Sequence, residues 1–229
     1  MIGIRGAIAM LCAIGALVVP AAAEEILPDY AAYQNMTLAR VRSGMRAVFY
    51  RDDGDGCPAA TARCQRRAYI VAGDPVLLGA VQGSLVKAAY SNAEGRPTEG
   101  WILRSMVEPV PAPRSTLSAW RGHWRYDDAD IDITPGKRPG RLKASGNAEW
   151  GGHDPERVKM GGVHVGEFDG EAVLVGDRII FSDSESSDVG GCRVSLRLIG
   201  PYLVAADNNQ CGGLNVSFSG FYRRTSVGN

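Results

Sequence analysis

The chain reads as all-β: a small barrel followed by a second antiparallel β-barrel or sandwich, behind a cleaved signal peptide. Three observations predict this. Helix-period stretches are scarce while Gly reaches 29 of 229 residues, a pattern of short strands broken by turns. Hydrophobic residues make up 45% of the chain, which suits packed cores rather than disorder. One Pro-rich stretch, Val110-Pro111-Ala112-Pro113-Arg114, divides the strand candidates into two groups.

Met1–Ala23 carries a single charge at Arg5, an apolar run from Ala7 to Val19, and Ala21-Ala22-Ala23 before Glu24. A charged start, a hydrophobic stretch and a small-residue cleavage site are the layout of a secretory signal peptide. The run is about 13 residues, short of the roughly 20 a membrane span needs, so no span is expected after cleavage near Ala23. Cys12, preceded by Ala9-Met10-Leu11, lacks the small residue of a lipid-attachment site. The expected location is the periplasm or the outside of the cell. Cleavage leaves 206 residues, with 24 Lys+Arg against 25 Asp+Glu. That balance leaves no electrostatic footprint for nucleic acid or an anionic membrane surface.

Glu24–Gly44 reads as a leader without a strong strand signal, in which Met36–Val41 could form a helical turn or two. The first compact unit is expected over 45–110. Its strands read at Arg46–Tyr50, Ala68–Val71, Pro75–Leu78, Ser84–Tyr90 and Gly100–Leu103, separated by turn formers such as Asp53-Gly54-Asp55-Gly56 and Gly73-Asp74. Five short strands in about 65 residues suit a small barrel. The linker covers 111–117, where alternating Pro keeps the chain extended and removes ladder donors.

The second unit spans 118–225. Strands are expected at His123–Tyr126, Asp130–Thr134, Arg141–Asn147, Gly162–Phe168, Ala172–Val175, Arg178–Ser182, Cys192–Leu198, Tyr202–Asp207 and Val216–Arg223. Arg193–Leu198 alternates strictly, placing Val194, Leu196 and Leu198 on one face, as a half-buried antiparallel strand requires. Seven to nine such strands close into a barrel or stack as a sandwich, since either suppresses exposed edges.

Four cysteines remain after cleavage: Cys57, Cys64, Cys192 and Cys211. They permit three connectivities, and the division into units selects Cys57–Cys64 and Cys192–Cys211. An oxidising compartment favours such bridges. The rival reading, a metal site, finds no neighbouring His and no compact zinc spacing at Cys57 and Cys64.

At Ala68-Tyr69-Ile70-Val71-Ala72-Gly73-Asp74-Pro75-Val76-Leu77-Leu78, and again at Thr98-Glu99-Gly100-Trp101-Ile102, the chain resembles bacterial SH3-like domains. The resemblance covers roughly 45 residues. It implies a small barrel of five or six strands, in a family where many members bind cell-wall peptides or act as spacers. The Cys57–Cys64 insertion departs from the commonest pattern, so no binding position carries over. The second unit is similar to a C-terminal domain of uncharacterised proteobacterial exported proteins, on Trp120-Arg121-Gly122-His123-Trp124 and the run Gly200–Arg224. That similarity implies no activity. The opening Trp-x-Gly-x-Trp and closing Gly-x-Tyr-Arg also resemble β-barrels whose first and last strands pair.

No catalytic set is evident. Gly-x-Ser-x-Gly, His-Glu-x-x-His and phosphate-cradling Gly loops are missing from the sequence, and these carry the commonest nucleophile, zinc and nucleotide chemistries. His123, His153 and His164 stand apart from one another and read as structural, with no metal or other cofactor expected. Ser182–Asp188 lacks the sharp Gly turn of a cation loop and reads as a solvated hairpin tip. Asn215-Val216-Ser217 has the form of a glycosylation sequon and reads as strand. The candidate binding loop is Asp207-Asn208-Asn209-Gln210, stiffened by Cys211; its competing reading is plain turn geometry. Trp101, Trp120 and Trp124 read as core, whereas Trp150, beside Gly151-Gly152, could be exposed for recognition.

Three function classes stay open. The first is a non-enzymatic envelope protein recognising a wall peptide (peptidoglycan), glycan or envelope protein. The second is an inhibitor of an envelope hydrolase such as lysozyme, presenting Ser219-Gly220-Phe221-Tyr222-Arg223 on a protruding loop. The third is a carboxylate-dependent hydrolase using Asp127, Asp128, Asp130 and Asp132. Oligomeric state is not legible.

Overall fold

The computed structural model describes residues 35–113, 115–182 and 191–225. The expected signal peptide, its cleavage site, the leader up to Gln34 and the Asp183–Asp188 tip lie outside the described residues. Among the described residues no helix is long and apolar enough to cross a membrane.

The first unit is a half-barrel of seven antiparallel strands: β1 (Thr37–Val41), β2 (Arg46–Tyr50), β3 (Gln65–Val71), β4 (Pro75–Gln82), β5 (Leu85–Ser91), β6 (Pro97–Leu103) and β7 (Val107–Pro109). Their spatial order is β3-β2-β6-β5-β4-β1-β7. Ala39, Val41, Phe49, Ile70, Val76 and Ile102 meet at its centre.

Strand β1 corrects the expected leader. Thr37–Val41 is not a helical turn but lies between β4 and β7, with Ala39 opposite both Val76 and Pro109. Its two faces explain why alternation was invisible. Ala39 and Val41 enter the first core, while Leu38 is buried against the second unit. With buried residues on both faces and Thr37 and Arg40 exposed, the strand shows no period of two. The first unit therefore begins at Thr37 rather than residue 45.

The second unit contains β8 (Gly122–Tyr126), β9 (Ala129–Pro135), β10 (Arg141–Trp150), β11 (His164–Val173), β12 (Arg178–Ser182), β13 (Arg193–Ile199), β14 (Tyr202–Asp207) and β15 (Gly220–Thr225). The order β11-β10-β9-β8-β15-β14-β13-β12 is a continuous up-and-down meander joined between its last and first strands. Arg223 pairs with Arg125 and Arg224 with Trp124. The architecture is a nearly closed barrel, with the break between β11 and β12. On that side the rings of Phe168 and Phe181 stand 6.1 Å apart.

Two strand expectations change. Gly162–Phe168 and Ala172–Val175 join as β11, because Gly170 does not break the strand; its Cβ position lies 3.4 Å from the Phe181 ring. Val216–Ser219 precedes β15 as loop. Trp120, Trp124, Phe168, Phe218 and Tyr222 fill the barrel; the polar tips of Trp124 and Tyr222 are satisfied locally, whereas Trp120 Nε1 is buried with no hydrogen-bond partner. Trp124 Nε1 donates to Trp120 O at 2.8 Å, and Tyr222 Oη donates to Phe218 O at 2.8 Å.

An apolar seam docks the two units. Met36, Leu38, Leu77 and Ala89 of the first pack against Ile199, Tyr202, Val204 and Phe221 of the second. Tyr202 Oη donates to Pro75 O at 2.6 Å, and the Asp127 amide donates to Gly95 O at 2.9 Å. Burial holds the Tyr202 hydroxyl well above the usual tyrosine range, against a smaller opposing effect of Arg223, so it remains a donor. Gly95 has φ +83, and its Cβ position falls 2.7 Å from Arg125 O.

Both disulfides are formed within units, Cys57–Cys64 and Cys192–Cys211. Chain-entropy reasoning assigns about 2.5 kcal/mol to the shorter loop and about 3.3 kcal/mol to the longer. Non-reducing peptide mapping should recover these two links, and a bridge between units would contradict the fold. Gly95→Ala should lower the melting temperature further than Gly56→Ala. Both glycines have positive φ, but nothing lies within 4 Å of the Gly56 Cβ position. Strain of about 1–3 kcal/mol at Gly95 corresponds to a calorimetric drop of at least about 3 °C.

Candidate functional site

A concavity of about 1020 Å³ lies where the two units meet. One wall is the start of β1 (Met36–Leu38) with the end of β7 and the linker that follows it (Pro109–Pro113), and the other is Gly176-Asp177 with Arg197–Ile199 of β13. Met36, Leu38 and Ile199 are buried and Leu198 and Val110 half-buried. The volume matches the upper end of ligand pockets, which pair apolar walls with a few polar groups. Here the polar group is an ion pair, with Arg197 Nε 2.6 Å from Asp177 Oδ2.

The linker forms this wall for a definite reason. Val110 N–H is spent on Leu38 O at 2.9 Å, and Pro109, Pro111 and Pro113 have no N–H to offer. The wall therefore presents pyrrolidine rings, and an added strand finds no continuous ladder there. A ligand must be held through its side chains and by the opposite wall.

The expected binding loop is largely turned inward. Asp207 is fully buried; its carboxylate accepts from the amides of Asn209 (2.9 Å) and Phe218, and faces Ser217 Oγ at 3.3 Å. Asn208 Oδ1 accepts from Arg193 N at 3.0 Å, while its Nδ2 donates to Gly191 O at 2.7 Å. Asn209, at φ +57, and Gln210 are the exposed members. Turn geometry thus accounts for Asp207 and Asn208, leaving Asn209 and Gln210 for contact. Asn215 also has positive φ, +68, and the sequon triplet is turn and loop rather than strand.

Trp150 is not a free recognition surface. It is half-buried, with the Arg157 guanidinium 4.2 Å from its ring centre and His164 stacked at 5.3 Å. Trp101, Trp120 and Trp124 are core residues, as expected. The Ser219–Arg223 stretch does not protrude, because Phe221 and Tyr222 are fully buried.

The histidines correct a second expectation. His164 Nδ1 bonds Leu214 O at 2.5 Å, and His153 Nε2 lies 2.6 Å from Asp128 Oδ1. His123 is not isolated from acids. Its Nδ1 is 2.9 Å from Asp132 Oδ1, and Asp130 joins the same group within 4.8 Å. The signal was present in the hairpin. A two-residue Asp127-Asp128 turn pairs Tyr126 with Ala129, and the register then sets His123 opposite Asp132. Asp127 and Asp128 stay at the turn, so the four expected carboxylates divide into two pairs.

No family model, curated protein or solved structure matches this chain. The geometry alone therefore ranks the sites, and the groove, at about 1020 Å³ against about 560 Å³ beside Arg141 and Arg178 and about 460 Å³ beside Arg42 and Val86, ranks first.

Asp207→Ala should destabilise the second unit by about 2–4 kcal/mol, since several buried donors lose a charged acceptor. Gln210→Ala should change stability by less than about 0.5 kcal/mol. Urea denaturation of both variants checks the contrast.

Proposed function

We propose that this is an exported, non-enzymatic binding protein of the cell envelope. It receives an extended peptide, from the wall or from an envelope protein, in the groove between its two barrels. The groove is the observation that carries the reading: an apolar cleft of about 1020 Å³ between two packed sheets. The signal-peptide-like start and two disulfides support an oxidising location in the periplasm or beyond. The resemblance of the first unit to SH3-like domains supports a peptide ligand.

The walls define the ligand further. Leu198 and Val110 favour apolar side chains, and the Arg197–Asp177 pair offers one charged contact at the end of the cleft. A groove fixed from both sides loses little freedom on binding, so modest contacts suffice for recognition.

A photo-crosslinking residue at Leu198 should capture a peptide-bearing partner in the cell envelope, and the same protein should be retained on purified peptidoglycan if the peptide belongs to the wall. Leu198→Arg should reduce capture at least about tenfold, while Gln210→Ala should leave it unchanged. Capture unaffected by Leu198→Arg, or none from either source at physiological salt, would overturn the reading.

A further inference from the structure

We propose that the β8–β9 hairpin carries a divalent-cation site for Zn²⁺, with His123, Asp130 and Asp132 as its ligands. The site is independent of the groove and lies on the outer face of the second barrel. His123 is on β8 and the two aspartates are on β9, where Asp130 and Asp132 share one face because strand side chains alternate. One imidazole nitrogen and two carboxylate oxygens fall within 4.8 Å of one another. The His123 Nδ1 to Asp132 Oδ1 separation is 2.9 Å. Two donors at zinc bond lengths and a tetrahedral angle stand about 3.4 Å apart, so small side-chain rotations bring all three onto one ion.

A second observation concerns charge. Asp130 has Arg125 directly across the hairpin, yet among the described residues it makes no ion pair or hydrogen bond with it or with any other group. Its carboxylate instead shares the position of His123 and Asp132. The remaining neighbours in register carry no charge. Ser145 and Asn147 on β10 face Asp132 and Asp130, Thr225 on β15 faces His123, and all three are uncharged oxygen-bearing residues. Lys143, on the same face of β10, is engaged 2.8 Å from Asp169.

Asp132 is held by the imidazole and Asp130 lies across from Arg125, so two anionic oxygens and one nitrogen are gathered where a cation can coordinate them. The nitrogen donor selects the ion. Imidazole suits Zn²⁺, whereas an all-oxygen shell suits Ca²⁺ or Mg²⁺. Three protein ligands leave at least one position for water or a ligand atom from a partner. Bound there, the ion would cross-brace β8 and β9 beside the β8–β15 closure.

Isothermal titration of Zn²⁺ into the purified protein with both disulfides intact tests this. One ion per chain is expected. His123→Gln and Asp130→Asn should each weaken binding at least about tenfold, with Glu167→Gln and His153→Gln leaving it unchanged. Far-UV circular dichroism checks that each variant is folded, and zinc-edge absorption should report a nitrogen and oxygen shell that changes in His123→Gln. No heat at 100 µM Zn²⁺ on the order of weak site affinities would overturn the proposal. So would affinity that survives both His123→Gln and Asp130→Asn, loss confined to His153→Gln, or binding of Ca²⁺ without Zn²⁺.

Discussion

The contact on which the rest of the molecule depends is the apolar seam between the barrels. Leu38 and Leu77 from the first unit meet Tyr202 and Phe221 from the second, all of them buried. Full burial of each such side chain contributes roughly 1.5–3 kcal/mol, enough to hold two units that share no strand. The hydrogen bonds Tyr202–Pro75 and Asp127–Gly95 add direction to that adhesion. Gly200 completes the fit, since Leu38 Cδ2 lies 2.6 Å from its Cβ position. The groove exists because the seam fixes the linker at a set distance from β13. Remove the seam and its two walls belong to separate bodies.

Within the second barrel the corresponding role falls to Asp207. A buried carboxylate is costly unless its oxygens are filled, and here the loop Asn208–Ser219 supplies the donors. The same loop is tied to β13 by Cys192–Cys211 and by Asn208. Charge, disulfide and side-chain amide therefore act on one segment. This explains why a loop rich in Asn and Gly, which resembles an adaptable recognition surface by composition, is largely consumed by its own structure.

Much of this was legible in the residues. The strand Arg46–Tyr50 has its expected limits, and the β12, β13 and β14 expectations differ from the structure by one residue at most. Alternation or turn chemistry marked each of them. The pairing of first and last strands also follows the resemblance drawn from Trp120-x-Gly122-x-Trp124 and the closing Tyr222-Arg223. Three features were hidden, for different physical reasons. β1 sends Ala39 and Val41 into one core and Leu38 into another while Thr37 and Arg40 stay exposed, so its pattern had no period. Gly170 suggested a turn, although a Gly in a strand also permits close approach by an aromatic ring. The groove is assembled from segments some 60 to 160 residues apart by packing, a tertiary arrangement that periodicity does not encode. The His123–Asp132 contact is the exception: it runs across the hairpin rather than along the chain, and the register of a two-residue turn encodes it.

Barrel closure also explains the division of labour over the surface. Pairing β15 to β8 removes the edges that chain termini would otherwise leave, and moves the one break to β11 and β12. There Phe168 and Phe181 fill the inner side, so the break opens no channel into the core. Aromatic packing occupies the interior, with Trp120, Trp124, Phe218 and Tyr222 all essentially inaccessible. A small barrel filled in this way has no room to hold a ligand inside. Binding chemistry is thereby displaced to the outside. The proposed roles follow that constraint: side-chain donors gather on the outer face of β8 and β9, and the groove of about 1020 Å³ arises where a second barrel is pressed against the first.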